Sequence, residues 1–197
     1  MSVSTPVNII AVTDGDKMAR RTVETAARNV GARCISASAG NPTPLTGEQI
    51  VNLVKKAAHD PVVVMLDDRG HEGRGRGESA LAYLAGHPDI NILGVLAVAS
   101  NSGFDEGAHV NFSIDRQGKL VDGPVDKFGR PGALLGDELC GDTVELLDNL
   151  HLPVVIGIGD VGKMDGADDF TTGAPLTTKA LREILKRSGC ANESGGH

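Results

Sequence analysis

From residue 61 to 66 the chain reads Pro-Val-Val-Val-Met-Leu without one polar side chain, and at 67 it breaks into Asp67-Asp68-Arg69 and an alternation of glycine with charge that runs to Glu78. A short, β-branched, uninterrupted apolar run reads as a strand buried on both faces. In an open α/β sheet ligands bind outside the carboxyl ends of the strands, so Asp67, Asp68 and the loop after them stand where a site is expected.

The segments on either side supply the layers that would bury such a strand. Residues 7–12 form a first strand ending in Thr13-Asp14-Gly15-Asp16, and Met18, Val23, Ala26, Ala27 and Val30 recur at helical spacing until Gly31 closes the helix. Residues 32–36 read as a second short strand, followed by a turn system over 38–44. Thr46 and Gln49 make a capping box for a helix with Ile50, Leu53, Val54 and Ala57 on one face. After the glycine-rich loop, 79–84 continue as a helix ended by Gly86 and Pro88, and 90–99 form another apolar strand. The order β-α-β-α-β-α-β over 7–99 predicts an α/β fold: three layers, with a mostly parallel sheet and helices on both faces.

From residue 100 the pattern changes, and 100–140 reads as an insertion. It holds a β-hairpin, 110–115 with 119–121 around Arg116-Gln117-Gly118, and an irregular stretch rich in Gly and Pro over 122–139. Within 141–189, Asp142 is expected to cap a helix carrying Val144, Leu147 and Leu150; 153–158 is the last core strand and 177–188 a terminal helix. Residues 1–190 are thus read as one domain and 191–197 as a disordered tail.

Composition narrows the partners. Aromatic residues are 3% with no Trp, so the core is built from Val, Ile, Leu and Ala. With 19 basic against 26 acidic residues, a net charge of −7 and almost no ring on which a base could stack, nucleic acid is not expected as a partner. Cys34, Cys140 and Cys190 lie too far apart to suggest zinc or disulfides. The longest apolar stretch, 90–99, falls short of the ~20 residues that span a bilayer, and the N-terminus lacks a signal-peptide pattern. A soluble, cytoplasmic protein is predicted.

Two groups of residues carry candidate chemistry. If the first and third strands are neighbours, Asp14, Asp16, Asp67 and Asp68 converge as oxygen ligands suited to Mg²⁺ or Ca²⁺; the alternative is that Asp16 caps the first helix and the others cap turns. In the loop after Asp68, Arg69, Arg74 and Arg76 alternate with glycines, and Gly73 and Gly75 can expose backbone N–H groups beside the guanidinium forks to hold phosphate or carboxylate. Asn41, in the 38–44 turn system, joins them as a ligand-binding candidate. The alternative is a solvated surface loop. Residues 157–164, Gly-Ile-Gly-Asp-Val-Gly-Lys-Met, approach a P-loop but lack its hydroxyl and a good helix start. His59, His71, His87, His109 and His151 have no metalloprotease spacing and no G-x-S-x-G elbow is present, so no catalytic residue is designated.

Residues 7–85 resemble a Toprim domain, with Val12-Thr13-Asp14-Gly15-Asp16 and Met65-Leu66-Asp67-Asp68-Arg69-Gly70 at the places of its glutamate-glycine turn and its D-x-D strand end. Asp14 stands where that family has Glu, and Gly70 where it has its second aspartate, so the resemblance implies the fold more than nucleotidyl chemistry. Over about residues 7–189 the chain resembles the soluble stage V sporulation protein AE family. The runs that carry this likeness are T-D-G-D at 13–16, S-A-S-A-G-N-P at 36–42, L-T-G at 45–47, D-D-R-G at 67–70, G-R-G-E at 75–78, L-G-V-L-A-V-A-S at 93–100, V-D-K-F-G at 125–129, G-D-T-V at 141–144 and G-I-G-D-V-G-K-M at 157–164. The resemblance implies a soluble, non-catalytic accessory subunit of the SpoVA set, which moves dipicolinic acid with Ca²⁺ across the inner spore membrane during sporulation and germination. The implied partners are the other SpoVA proteins, dipicolinate and Ca²⁺, with a peripheral place at that membrane; a homo-oligomer is also compatible. The alternative is a metal-dependent phosphotransfer or nucleic-acid enzyme derived from a Toprim ancestor.

Overall fold

The computed structural model describes residues 5–69, 75–100, 107–132, 136–141, 143–144 and 146–189. The chain runs through β1 (Val7–Val12), α1 (Lys17–Asn29), β2 (Arg33–Cys34), α2 (Gly47–Val54), β3 (Val62–Met65), α3 (Arg76–Ala85), β4 (Ile90–Val98), β5 (Phe112–Ile114), β6 (Leu120–Val121), β7 (Val155–Ile158) and α4 (Pro175–Arg187). Among the described residues the strands form one seven-stranded sheet in the order β2-β3-β1-β4-β7-β5-β6. Every pairing is parallel except the β5–β6 hairpin. The α/β expectation, with a mostly parallel sheet, is met.

Alternate side chains of the strands enter opposite cores, which is why the apolar runs have no polar gap. Ile10, Val12, Val63, Met65, Leu96 and Ile156 pack with Ala19, Val23 and Ala26 of α1 and Leu181 and Ile184 of α4. Ile9, Ala11, Val62, Val64, Leu66 and Val95 pack with Ile50 and Val54 of α2 and Leu81 and Leu84 of α3. Each fully buried Ile or Leu contributes ~1.5–3 kcal/mol, and among the described residues of the two layers Phe112 is the one aromatic ring.

Four segments differ from the sequence reading, each for a local reason. The second strand is only two residues long because the chain bends into a 3₁₀ turn at Ser36–Ser38. Ser38 Oγ then accepts the Met65 amide at 2.8 Å and Thr43 Oγ1 accepts the Asp67 amide at 2.7 Å, so hydroxyls satisfy donors that a longer strand would have paired. The helix expected after Asp142 is reduced to a 3₁₀ turn at Leu147–Asn149, since Thr143 has a left-handed backbone (φ 63°) that a right-handed helix cannot include; Asp142 itself lies outside the described residues. The helix after the glycine-rich loop begins earlier, at Arg76. Finally, β5 is not confined to its hairpin: it pairs in parallel with β7, bringing part of 100–140 into the main sheet.

Candidate functional site

The carboxyl ends of β1 and β3 lie side by side, with Val12 in register with Met65. This brings the Asp14–Asp16 turn up to Asp67. The approach is close enough that a Cβ on Gly15 would meet the Gly40 carbonyl oxygen at 2.5 Å and the Asp67 Cβ at 3.2 Å, so only glycine lets the two loops touch. Asp16 spends one carboxylate oxygen capping α1, accepting the Met18 and Ala19 amides at 2.8 Å each, and gives the other to Lys163 Nζ at 2.8 Å. Lys163 also donates to Asp160 at 3.1 Å. Burial alone would raise the Asp16 pKa, but the hydrogen bonds from Lys163 and from the Ala19 and Met18 amides bring it below the usual carboxylate range. The same two carboxylates hold the Lys163 pKa above its ordinary value against the opposing effect of burial.

Asp14 experiences the reverse. Burial, followed by the charge of Asp16 and then of Asp67 and Asp160, pushes it up to about 8, although its carboxylate accepts the Asp16 amide at 3.2 Å. The folded-state pKa is therefore above the unfolded value of 3.8, so the associated stability is complete below about pH 4 and lost as pH rises through 8. Asp14→Asn keeps the acceptor for the Asp16 amide and removes the ionisation. Thermal melts should show the variant matching the wild type near pH 4 and exceeding it by a growing margin as pH rises towards 9; equal pH profiles would exclude a strained Asp14.

On the other side of β3, Asp67 and Asp68 are almost fully buried. Asp67 is tied to the 38–44 turn by reciprocal bonds with Thr43, its amide to Oγ1 at 2.7 Å and its carbonyl to the Thr43 amide at 2.8 Å. Its Oδ1 also accepts the Arg69 amide at 2.8 Å. Asp68 turns onto α3, accepting the Gly77 amide at 2.5 Å and the Glu78 amide at 3.0 Å, the donors that a helix start leaves unpaired. A side chain at Gly75 would collide with this carboxylate. Of the four aspartates read as metal ligands, Asp14, Asp16 and Asp67 share one cluster while Asp68 serves as a remote cap of α3. Asp160 and Lys163 complete the cluster, and neither was identified from sequence; Lys163 lies in the P-loop-like run, where its partner Asp16 is 147 residues away.

Between the starts of α2 and α3 opens a pocket of about 660 Å³. Pro42, Leu45, Ala80 and Tyr83 give it apolar walls, while Arg69, Arg76, Glu48 and Asp68 bring charge to it. Tyr83 packs directly over Gly47 at the first turn of α2, where any Cβ would overlap its ring. Arg76 crosses from α3 to the preceding loop, donating from Nη2 to the Pro44 carbonyl at 3.0 Å. Arg69 is exposed and holds a left-handed backbone (φ 57°), a conformation that costs a non-glycine residue ~1 kcal/mol. Of the anion-binding candidates, Arg69, Gly75 and Arg76 line this pocket, and Asn41 is exposed beside Pro42 rather than in the lining. Gly73 and Arg74 lie outside the described residues. The apolar walls contributed by Leu45 and Tyr83 were not anticipated.

These features define a three-layer α/β protein whose pocket and carboxylate cluster adjoin at the carboxyl edge of a parallel sheet. The chain belongs to the stage V sporulation protein AE1 family, whose model matches residues 8–188. No curated protein and no solved structure matches it. Membership implies a role in sporulation, in association with the SpoVA system. Among the described residues no helix is long and apolar enough to cross a membrane.

Proposed function

We propose that the protein is a non-catalytic accessory subunit of the SpoVA system and that its pocket receives dipicolinate, the planar dicarboxylate that the system moves with Ca²⁺ across the inner spore membrane. The observation that carries this reading is the pairing of Arg69 and Arg76 with the apolar walls Pro42, Leu45 and Tyr83 in one pocket of about 660 Å³. An aromatic ring bearing two carboxylates needs those two elements: flat apolar contact for the ring and guanidinium forks for the charge. The α3 amides contribute little to anion attraction because Asp68 already occupies them, so the arginines must supply it. For the Ca²⁺ that accompanies the ligand we propose the adjoining carboxylates Asp14, Asp16 and Asp67, with Asp14 giving up its proton as the ion binds.

Calorimetry with dipicolinate, with and without Ca²⁺, tests the reading. Arg76→Gln should weaken binding about tenfold, the loss expected of one charge-assisted hydrogen bond. Arg69→Gly should weaken it comparably without loss of stability, because glycine accepts the left-handed backbone. Absence of heat in the wild type, or unchanged affinity in both variants, would contradict the reading. Turnover of DNA, RNA or nucleotides with Mg²⁺ or Mn²⁺ would contradict its non-catalytic part.

A further inference from the structure

Away from the pocket, three segments meet at the surface. His109 Nδ1 lies 2.8 Å from Asp148 Oδ2 and 3.9 Å from Glu138 Oε1. One ligand atom from each of the three side chains falls within 4.8 Å of the others. The residues are distant in sequence, yet each follows or precedes a core anchor by one position. Ala108 and Leu139 are fully buried and Leu147 is 2% exposed. Ala108 and Leu139 exchange both backbone hydrogen bonds, at 3.0 and 2.9 Å, which fixes His109 and Glu138 on adjacent backbones. The His109 amide donates to Asp148 Oδ1 at 3.0 Å, which holds the 3₁₀ turn carrying Asp148 against them.

We infer that His109, Glu138 and Asp148 form a binding site for a divalent first-row transition ion of the zinc type, with its remaining coordination positions open to an exchangeable water or carboxylate. An imidazole nitrogen with two carboxylates suits Zn²⁺ and its neighbours and disfavours the oxygen-seeking Ca²⁺ and Mg²⁺. At ordinary Zn–N and Zn–O lengths, tetrahedral ligand atoms stand about 3.4 Å apart, and the observed separations of 2.8 and 3.9 Å bracket that spacing. His109 pairs with both carboxylates, and two acidic side chains brought onto one imidazole nitrogen form the arrangement that a divalent ion would bridge. Because the backbones are already held by the core, an ion can close the site through side-chain rotation alone, and the exposure of all three side chains leaves it accessible. The site shares no residue with the pocket, and neither proposal depends on the other.

The test is calorimetry of the full chain with ZnCl₂ in a Cys140→Ser background, which removes an exposed thiol that could bind zinc on its own. One Zn²⁺ per chain is expected, with His109→Ala and Glu138→Gln each weakening binding at least tenfold. His109 is exposed and Glu138 half-buried with neither in the core, so circular dichroism should show these variants folded, whereas Asp148 is avoided because it also holds a backbone amide. CaCl₂ should produce no heat that Glu138→Gln abolishes. In crystals soaked with Zn²⁺, the anomalous peak should lie between the three side chains. Wild-type affinity in both variants, a peak elsewhere, or Ca²⁺ binding at these three side chains equal to that of Zn²⁺ would overturn the proposal.

Discussion

Replacing Asp168 with alanine is expected to destabilise the protein by ~3 kcal/mol or more, the largest single-residue effect anticipated here. Asp168 is fully buried and its carboxylate accepts four hydrogen bonds, from the Leu176 and Thr177 amides at 2.9 Å each, the Thr177 hydroxyl at 2.6 Å and the Gly162 amide at 3.2 Å. The helix it serves has no cap at its own N-cap position: α4 starts from Ala174 in a left-handed conformation, whose methyl side chain can accept none of the first amides. Removing the carboxylate leaves those donors buried and unpaired, and frees the 159–163 loop from the helix whose Leu181 and Ile184 fill one core layer. Asp168→Asn retains an acceptor for Leu176 and Thr177 but turns an amide toward the Gly162 N–H, so its cost should be intermediate. Urea denaturation provides the comparison; an alanine variant within 1 kcal/mol of the wild type would exclude this role.

Asp68→Ala should be the second most damaging change, at ~2 kcal/mol, and unlike the first it should also abolish dipicolinate binding. The carboxylate joins the end of β3 to the start of α3, and the pocket lies where those two elements meet α2. Gly75→Ala should reproduce the effect from the other side, since its methyl group would occupy the space of the Asp68 carboxylate. Denaturation and calorimetry on the same samples separate structure from recognition: Asp68→Ala should lose both stability and binding, and Arg69→Gly should show only the roughly tenfold loss of affinity. If Asp68→Ala retains wild-type affinity, the pocket is not the anion site.

What could be read from the sequence is what short-range chemistry determines. The α1 and α2 starts were legible because their caps are local: Asp16 reaches Met18 and Ala19, and Thr46 with Gln49 forms a reciprocal box. Strands β1, β3 and β4 announced themselves as apolar runs because both of their faces are covered. The cap of α4 was missed because it comes from Asp168, seven residues before Pro175, although proline at the first helical position was an available signal. The pairing of β5 with β7 depends on strand order, which composition does not encode. The same distinction runs through the site. Asp14, Asp16 and Asp67 stand at strand ends and could be placed by rule, whereas Asp160 and Lys163 join them only through tertiary folding. Tyr83 is the chain's single tyrosine and is 45% exposed, which marks it as a surface aromatic only once the structure is known.

The most direct test of the central claim is an amide chemical-shift titration of the labelled 20.4 kDa chain with dipicolinate in the presence of Ca²⁺. Saturable shifts concentrated at Leu45–Glu48, Arg69, Gly75–Ala80 and Tyr83, with a midpoint about tenfold higher in Arg76→Gln, are the predicted result. No shifts at saturating ligand, or shifts confined to residues outside that pocket, would contradict the account.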